Sequence, residues 1–291
     1  MDLFENNTRI SDSSKKLYTY NLKKLNDGNE IKNLNFLKKI NVIEEKLSKL
    51  KPNTMRSYLI AIVSVLKGRD KFNKIKEIYY EKMMKSNRDL RDNTDKTPKE
   101  DNNWLDQDEI NEKFNDLYKI VDNLGNKRKL KEGQYDKLLD CVILGLYVTM
   151  PPRRNLDYVK MVVSENGDDK DLNYYHNGKM YFNRYKTSKT YNQQTADVPE
   201  KLTKIIKLYL KFKPKDSNWF LINNKGKNID TSVSMTRRLQ NIFGRKISSS
   251  MLRKIYLTDK YGDSAEGLKE DASKMATSVS TINNNYIKKD E

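Results

Sequence analysis

Apolar positions recur with helical spacing almost from the start of the chain. Leu17, Tyr18, Leu22 and Leu25 follow a serine-rich stretch, residues 11–14, that can cap a helix. Phe36, Leu37 and Ile40 make a second apolar segment, and Val42, Ile43, Leu47 and Leu50 a third. A fourth helix is predicted from Asn53-Thr54, with Tyr58, Leu59, Ile62, Val63 and Leu66 on one broad face, and a basic fifth over residues 71–89. Residues 86–103 then carry Pro98 and no apolar period, which predicts a boundary.

A second region opens at Trp104-Leu105-Asp106, with helical periodicity over 109–124. Residues 134–147 predict a strongly apolar helix that puts Leu138, Leu139, Val142, Ile143 and Leu146 in a core. After Pro151-Pro152 the pattern becomes β-like. Segments 172–176 and 179–185 flank Asn177-Gly178, a pair suited to a type I′ hairpin turn, and a further strand over 191–198 comes after a second turn at 186–190. Helices return over 201–212, 232–243, 250–260 and 266–275, with a short last one capped at Ser280. The expectation is a mainly α protein with a small antiparallel β-sheet. It has a helical domain over 1–90, a linker over 91–103 and a mixed α+β domain over 104–291.

Charge sharpens this division. The chain carries 57 Lys/Arg against 40 Asp/Glu, a net +17. Residues 1–90 hold 20 against 11 and residues 201–260 hold 15 against 3, whereas residues 91–130 hold 8 against 10. Two basic blocks separated by an acidic stretch favour a polyanionic partner gripped by both domains. The single cysteine, Cys141, excludes an internal disulfide framework and any CxxC metal site, and its apolar neighbours predict a buried, inert thiol. The single histidine, His176, excludes chemistry that needs several imidazoles and is expected to lie exposed on its hairpin. No apolar leader or membrane-length run is present, so a soluble, intracellular, unsecreted protein is expected.

Four segments of the second domain carry a chemical pattern. Thr149-Met-Pro-Pro-Arg-Arg-Asn-Leu-Asp-Tyr158 succeeds the apolar helix, and Lys186-Thr-Ser-Lys189 occupies the second turn. Ser248-Ser-Ser-Met-Leu-Arg253 opens a helix, and Met275-Ala-Thr-Ser-Val-Ser-Thr-Ile-Asn-Asn-Asn-Tyr286 lies near the C-terminus. In order and spacing these resemble the catalytic domain of the tyrosine recombinases, the phage-integrase-like family of DNA breaking-rejoining enzymes, over roughly residues 104–291. The first domain resembles that family's helical core-binding domain by pattern.

The resemblance implies a role for each matched residue. Arg154 and Arg253 grip the non-bridging oxygens of a DNA phosphate as negative charge develops there. Arg154 is preferred to its neighbour Arg153 because Asp157 then takes the acidic place of the family's Arg-x-x-Glu pattern, leaving Arg153 without a role. Lys186 protonates the leaving 5′ oxygen. Tyr286 attacks phosphorus to form a 3′-phosphotyrosine, with no metal or other cofactor. The sequence departs from the family at two places. Ser250 stands where a histidine is usual and is a natural helix N-cap, and Ala276-Thr277 stands for the usual Gly-His pair. Ser250 and Thr277 retain hydroxyls for hydrogen bonding but offer no base near neutral pH.

The resemblance as a whole implies a site-specific recombinase or integrase of viral or mobile-element type, acting in DNA recombination or integration. Its partners are double-stranded DNA and its own copies, as a tetramer on DNA, and no membrane. It would act wherever its target DNA lies, in nucleus, cytoplasm or viral factory. The alternatives are a type IB topoisomerase with the same chemistry, and a catalytically weakened DNA-binding relative.

Overall fold

A computed structural model of the chain describes residues 3–7, 10–92, 96–261 and 267–287. It divides into two compact units, Met1–Asn93 and Thr94–Glu291.

The first unit is helical. Helix α1 (Asp12–Leu25) starts where Ser11 accepts from the Ser14 amide, with Asp12 in the favourable first turn. Helix α2 (Ile40–Ser48) comes after a single 3-10 turn (Asn35–Lys38), which is all that the Phe36–Leu37 segment forms. Helix α3 (Pro52–Leu66) begins on Pro52, whose missing N–H costs nothing at a first helical position, and α4 (Asn73–Asp92) closes the unit. Leu22, Leu37, Leu59, Ile62, Leu66 and Tyr79 are buried at its centre, where the Tyr79 hydroxyl donates to the Leu37 carbonyl at 2.9 Å. Leu17 and Val42, although part of the apolar periodicity, are exposed to solvent.

The second unit starts earlier than the expected linker allows. Thr97-Pro-Lys-Glu100 forms a capping box on the short helix α5 (Pro98–Asp101). Glu100 is ion-paired with Lys254, and the Asn103 side chain accepts from the Lys246 amide at 3.0 Å. Most of the expected linker is therefore part of this unit, because Pro98 starts a helix rather than breaking one. Helices α6 (Gln107–Asp122) and α7 (Glu132–Val148) come next, and then α8 (Asn155–Val159). Helix α7 is the axis of the core, with Leu138, Leu139, Cys141, Val142, Ile143 and Leu146 fully buried. Burial pushes the Cys141 thiol pKa up to about 12, so the thiol stays protonated and inert.

The sheet has four short strands in the order β1 (Val162–Val163), β2 (Tyr174–His176), β3 (Lys179–Phe182), β4 (Gln194–Asp197). The β2–β3 hairpin turns on Asn177 and Gly178, at φ +46° and +80°, the left-handed pair that this turn requires. The expectation of an antiparallel sheet needs one correction. β1 pairs parallel to β2, with Val162 opposite Tyr174, so the sheet is mixed. A two-residue strand shows no alternation, so its pairing is not legible in sequence. Between β3 and β4 the chain also makes one helical turn, α9 (Ser188–Tyr191), so β4 starts three residues later than predicted.

Helices α10 (Glu200–Phe212), α11 (Ser232–Phe243) and α12 (Ser249–Tyr261) pack on α7, succeeded by α13 (Leu268–Lys274) and α14 (Val279–Asn285). Gly145 lets α6 and α10 approach α7 closely; a Cβ there would lie 2.6 Å from Leu202 Cδ1 and 3.2 Å from Phe114 Cε2. No described helix is long and apolar enough to cross a membrane. His176 is half-buried rather than exposed, because its Nδ1 lies 2.9 Å from the Ser164 carbonyl across the parallel edge.

Candidate active site

The apolar helix α7 ends at Val148 and delivers the Pro151-Pro152-Arg153-Arg154 loop to the start of α8. Asn155 pins that start. It accepts from the Tyr147 hydroxyl at 2.7 Å and donates to the Ser232 carbonyl and the Thr236 hydroxyl of α11, at 3.0 and 2.9 Å. With Asn155 held, the two arginines before it point into different surroundings.

Arg153 is the buried one, at 3% exposure. Its Nε pairs with Asp157 at 3.0 Å, and its Nη1 donates to Gln194 Oε1 at 2.9 Å and to the Lys274 carbonyl at 2.8 Å. Its guanidinium also lies over the Phe182 ring, 3.9 Å from the centroid. One side chain thus joins α8, β4 and the C-terminal end of α13. Arg153 therefore has a role that the sequence did not announce, and Asp157 pairs with Arg153, not Arg154. Burial pushes the Asp157 pKa above the usual carboxylate range, with Arg153 foremost among the charges pulling the other way.

Arg154, the N-cap residue of α8, is half-buried, and its Nη1 is buried without a hydrogen-bond partner. Arg253, one turn into α12, is 2% exposed. Its Nη1 donates to the Tyr286 hydroxyl at 2.6 Å, and its guanidinium sits 4.2 Å from the centre of that ring. Its Nε and Nη2 are buried and unpartnered. Burial lowers the Arg253 pKa; Tyr286 opposes that shift and the charge of Arg154 adds to it. Among the described residues, five of the seven buried side-chain polar atoms without a partner belong to Arg153, Arg154, Asp157 and Arg253. Such atoms are costly in a folded interior and gather where a site is built to receive something else.

Tyr286 ends α14, whose N-cap is Ser278 rather than Ser280: the Ser278 hydroxyl accepts from the Thr281 amide at 3.0 Å. Ile282 is fully buried beneath the helix, and Tyr286, one turn on, lies against Arg253. The preceding segment is tied down by polar contacts. Thr187 donates to the Ala276 carbonyl at 2.7 Å, the Tyr191 hydroxyl to the Thr277 carbonyl at 3.2 Å, and Gln194 to the Ser273 carbonyl at 2.9 Å. Thr187 and Tyr191 belong to the turn and helix just after Lys186, so the lysine's turn is docked on residues 276–277. Lys186 itself is exposed and has no hydrogen bond or ion pair among the described residues.

The two hydroxyl residues differ. Thr277 is 5% exposed, and its amide donates to the Ala272 carbonyl at 2.9 Å. Ser250 is exposed in the first turn of α12. The N-cap role expected of Ser250 belongs to Ser248, whose hydroxyl accepts from the Met251 amide at 3.3 Å. The structure thus brings Arg253 and Tyr286 into direct contact and Arg154 within electrostatic reach. It puts Lys186 on a turn fixed to the tyrosine-bearing segment and records no contact from Ser250 to the group.

A second cluster supports the tyrosine segment. Asp271 of α13, 1% exposed, accepts from the Tyr261 hydroxyl at 2.5 Å, Lys260 Nζ at 2.8 Å and the Tyr256 hydroxyl at 3.2 Å. Burial alone would raise the Asp271 pKa, but these donors outweigh it and hold the carboxyl below its usual range. Sequence reasoning misses Arg153 and Asp271. The i,i+4 spacing of Arg153 and Asp157 is a usable signal; nothing local marks Asp271.

No protein-family model matches the chain, and comparison with curated proteins finds no match.

Proposed function

We propose that this chain cleaves and rejoins double-stranded DNA through a covalent 3′-phosphotyrosine at Tyr286, as a site-specific recombinase. The observation that carries the reading is the Arg253–Tyr286 contact. A hydroxyl 2.6 Å from a guanidinium whose other two donor nitrogens are buried and free is a nucleophile beside an oxyanion clamp. A phosphate seated there would accept from Arg253 Nε and Nη2 and from Arg154 Nη1. The phenol oxygen forms the bond to phosphorus, the bond to the 5′ oxygen breaks, and Lys186 supplies the proton that oxygen takes. The phenol proton leaves to solvent, since no imidazole stands nearby. Resealing reverses the sequence with a 5′ hydroxyl as nucleophile, and the phosphodiester energy is conserved throughout.

The net charge of +17 supports the polyanionic partner. Binding should therefore weaken steeply with salt as neutralised phosphates release counterions. The deciding experiment uses a nicked suicide duplex drawn from the ends of the source genome. A covalent protein–DNA adduct that forms with the native chain and is absent with Tyr286→Phe supports the proposal; an adduct that persists in the Phe variant overturns it. Joining of two duplexes by several copies marks a recombinase, whereas relaxation of a supercoiled circle by a single copy marks a type IB topoisomerase.

A further inference from the structure

At the opposite end of α7 from the arginine loop, a cavity of about 540 Å³ is walled by five cations: Arg128, Lys129, Lys211, Lys213 and Lys215. The 17 residues of α7 put this place roughly 25 Å from the Arg153-Arg154 loop, at about 1.5 Å per residue. None of the five has an ion-pair partner among the described residues. The three lysines are instead held by backbone carbonyls. Lys211 donates to Gly125 at 2.8 Å, Lys215 to Leu210 at 2.7 Å, and Lys213 to Pro214 at 3.2 Å and to Ser217.

Carbonyls fix the ammonium groups in place but carry no net charge, so the five cations are opposed only in part, by Glu132 in the lining and by Asp216 near Lys213, and the cavity keeps a net positive field. Lys213 is the most telling, since it is only 7% exposed and burial and Lys215 together outweigh the opposing charge of Asp216. Glu132 is the sole carboxylate among the described lining residues, and it accepts from the Asn224 amide at 2.8 Å. The N-terminal end of α7, the positive end of its dipole, faces the same space. Capping of the last α10 carbonyls accounts for part of the lysine arrangement. It does not account for Arg128 and Lys129, which reach the cavity from the separate loop before α7.

We propose that this cavity is a second anion site, distinct from Tyr286, that binds a ligand carrying at least two phosphate groups. The phosphates come either from a nucleic-acid backbone or from a free oligophosphate. The proposal does not depend on Tyr286 being a nucleophile. The test is calorimetric titration of the full chain with inorganic tripolyphosphate at low salt. Saturable binding at one site is expected, and Lys211→Gln/Lys215→Gln should weaken it by at least about tenfold, the scale of one lost charge-assisted contact. Lys211→Arg/Lys215→Arg should retain it. Arg128→Gln/Lys129→Gln touches only exposed side chains without recorded hydrogen bonds, so it tests the site even if the lysine pair unfolds, and should weaken binding likewise. Lys23→Gln/Lys24→Gln on α1 should leave binding unchanged. Displacement of tripolyphosphate by a short duplex identifies a nucleic-acid source, and failure to displace it identifies a free oligophosphate. Absence of saturable binding, undiminished binding in both Gln variants, or an equal loss in the α1 control overturns the proposal.

Discussion

The second unit has two cores of unlike kind. Around α7 a large set of aliphatic and aromatic side chains is sealed from solvent, and Arg153, Arg154 and Arg253 hang on its edge. Beneath Tyr286 the buried cluster is small: Leu257, Tyr261, Leu268, Ala272, Met275 and Ile282. Apolar burial at roughly 25 cal/mol per Å² holds the first firmly, while the second has too little area to fix a helix by itself. Its position rests on directional bonds instead, from Arg153, Gln194, Thr187 and Tyr191 on one side and to Asp271 on the other. Arginines set on a rigid core and a tyrosine held by polar straps can be perturbed separately.

Tyr286→Phe should have the largest effect on chemistry and almost none on structure. On the proposed chemistry the covalent adduct is lost altogether and DNA affinity stays near its native value, while the melting temperature falls modestly because Arg253 Nη1 loses its acceptor. Gel analysis of adduct against filter binding separates the two. Arg153→Ala tests the strap. It leaves Asp157 as a buried carboxylate without its partner and should cost about 3–5 kcal/mol of stability, read by denaturant titration. Adding Asp157→Asn should recover part of that loss; an Arg153→Ala variant of native stability would show that the pair does not hold α13.

On the proposed chemistry, Arg253→Ala and Arg154→Ala should slow cleavage by about 10²–10³, with a much smaller loss of binding, because contacts of that kind strengthen as charge develops on a phosphate. Equal losses in both would make them positioning residues only. Asp271→Asn should be the mildest, costing roughly 1.5–3 kcal/mol by weakening charge-assisted bonds. Its pH dependence has a definite sign. The folded pKa lies below the unfolded value of about 3.9, so the native advantage over Asn is full above about pH 4 and disappears as the pH falls through the folded pKa. A stability difference that persists unchanged to pH 2 would assign the effect to packing.

Periodicity locates most of the helices because apolar spacing is a local property. Residues 232–243 and the α7 core positions come directly from it. The Asn177-Gly178 turn is equally local, since only certain residues adopt paired positive φ at low cost. Errors arise where a residue has two local meanings. Pro98 reads as a breaker until Thr97 and Glu100 are seen to frame it as a first helical residue. Serine runs likewise offer Ser250 and Ser280 as caps where Ser248 and Ser278 serve.

The sequence by itself determined the helical character, the place of the hairpin, the inert buried cysteine and the excess of positive charge, because each comes from spacing or composition. Tertiary structure alone decided what each charged residue does. Arg153 and Arg154 are adjacent and chemically identical, yet Arg153 is bonded to Asp157, Gln194 and a carbonyl 121 residues away, whereas Arg154 Nη1 is buried without a partner and Arg154 acts on Arg253 through its charge. Hydrogen-bond partners are set by distance in space: motif order groups residues 154, 253 and 286, but no local pattern says that Arg153 bonds to Asp157, Gln194 and the Lys274 carbonyl.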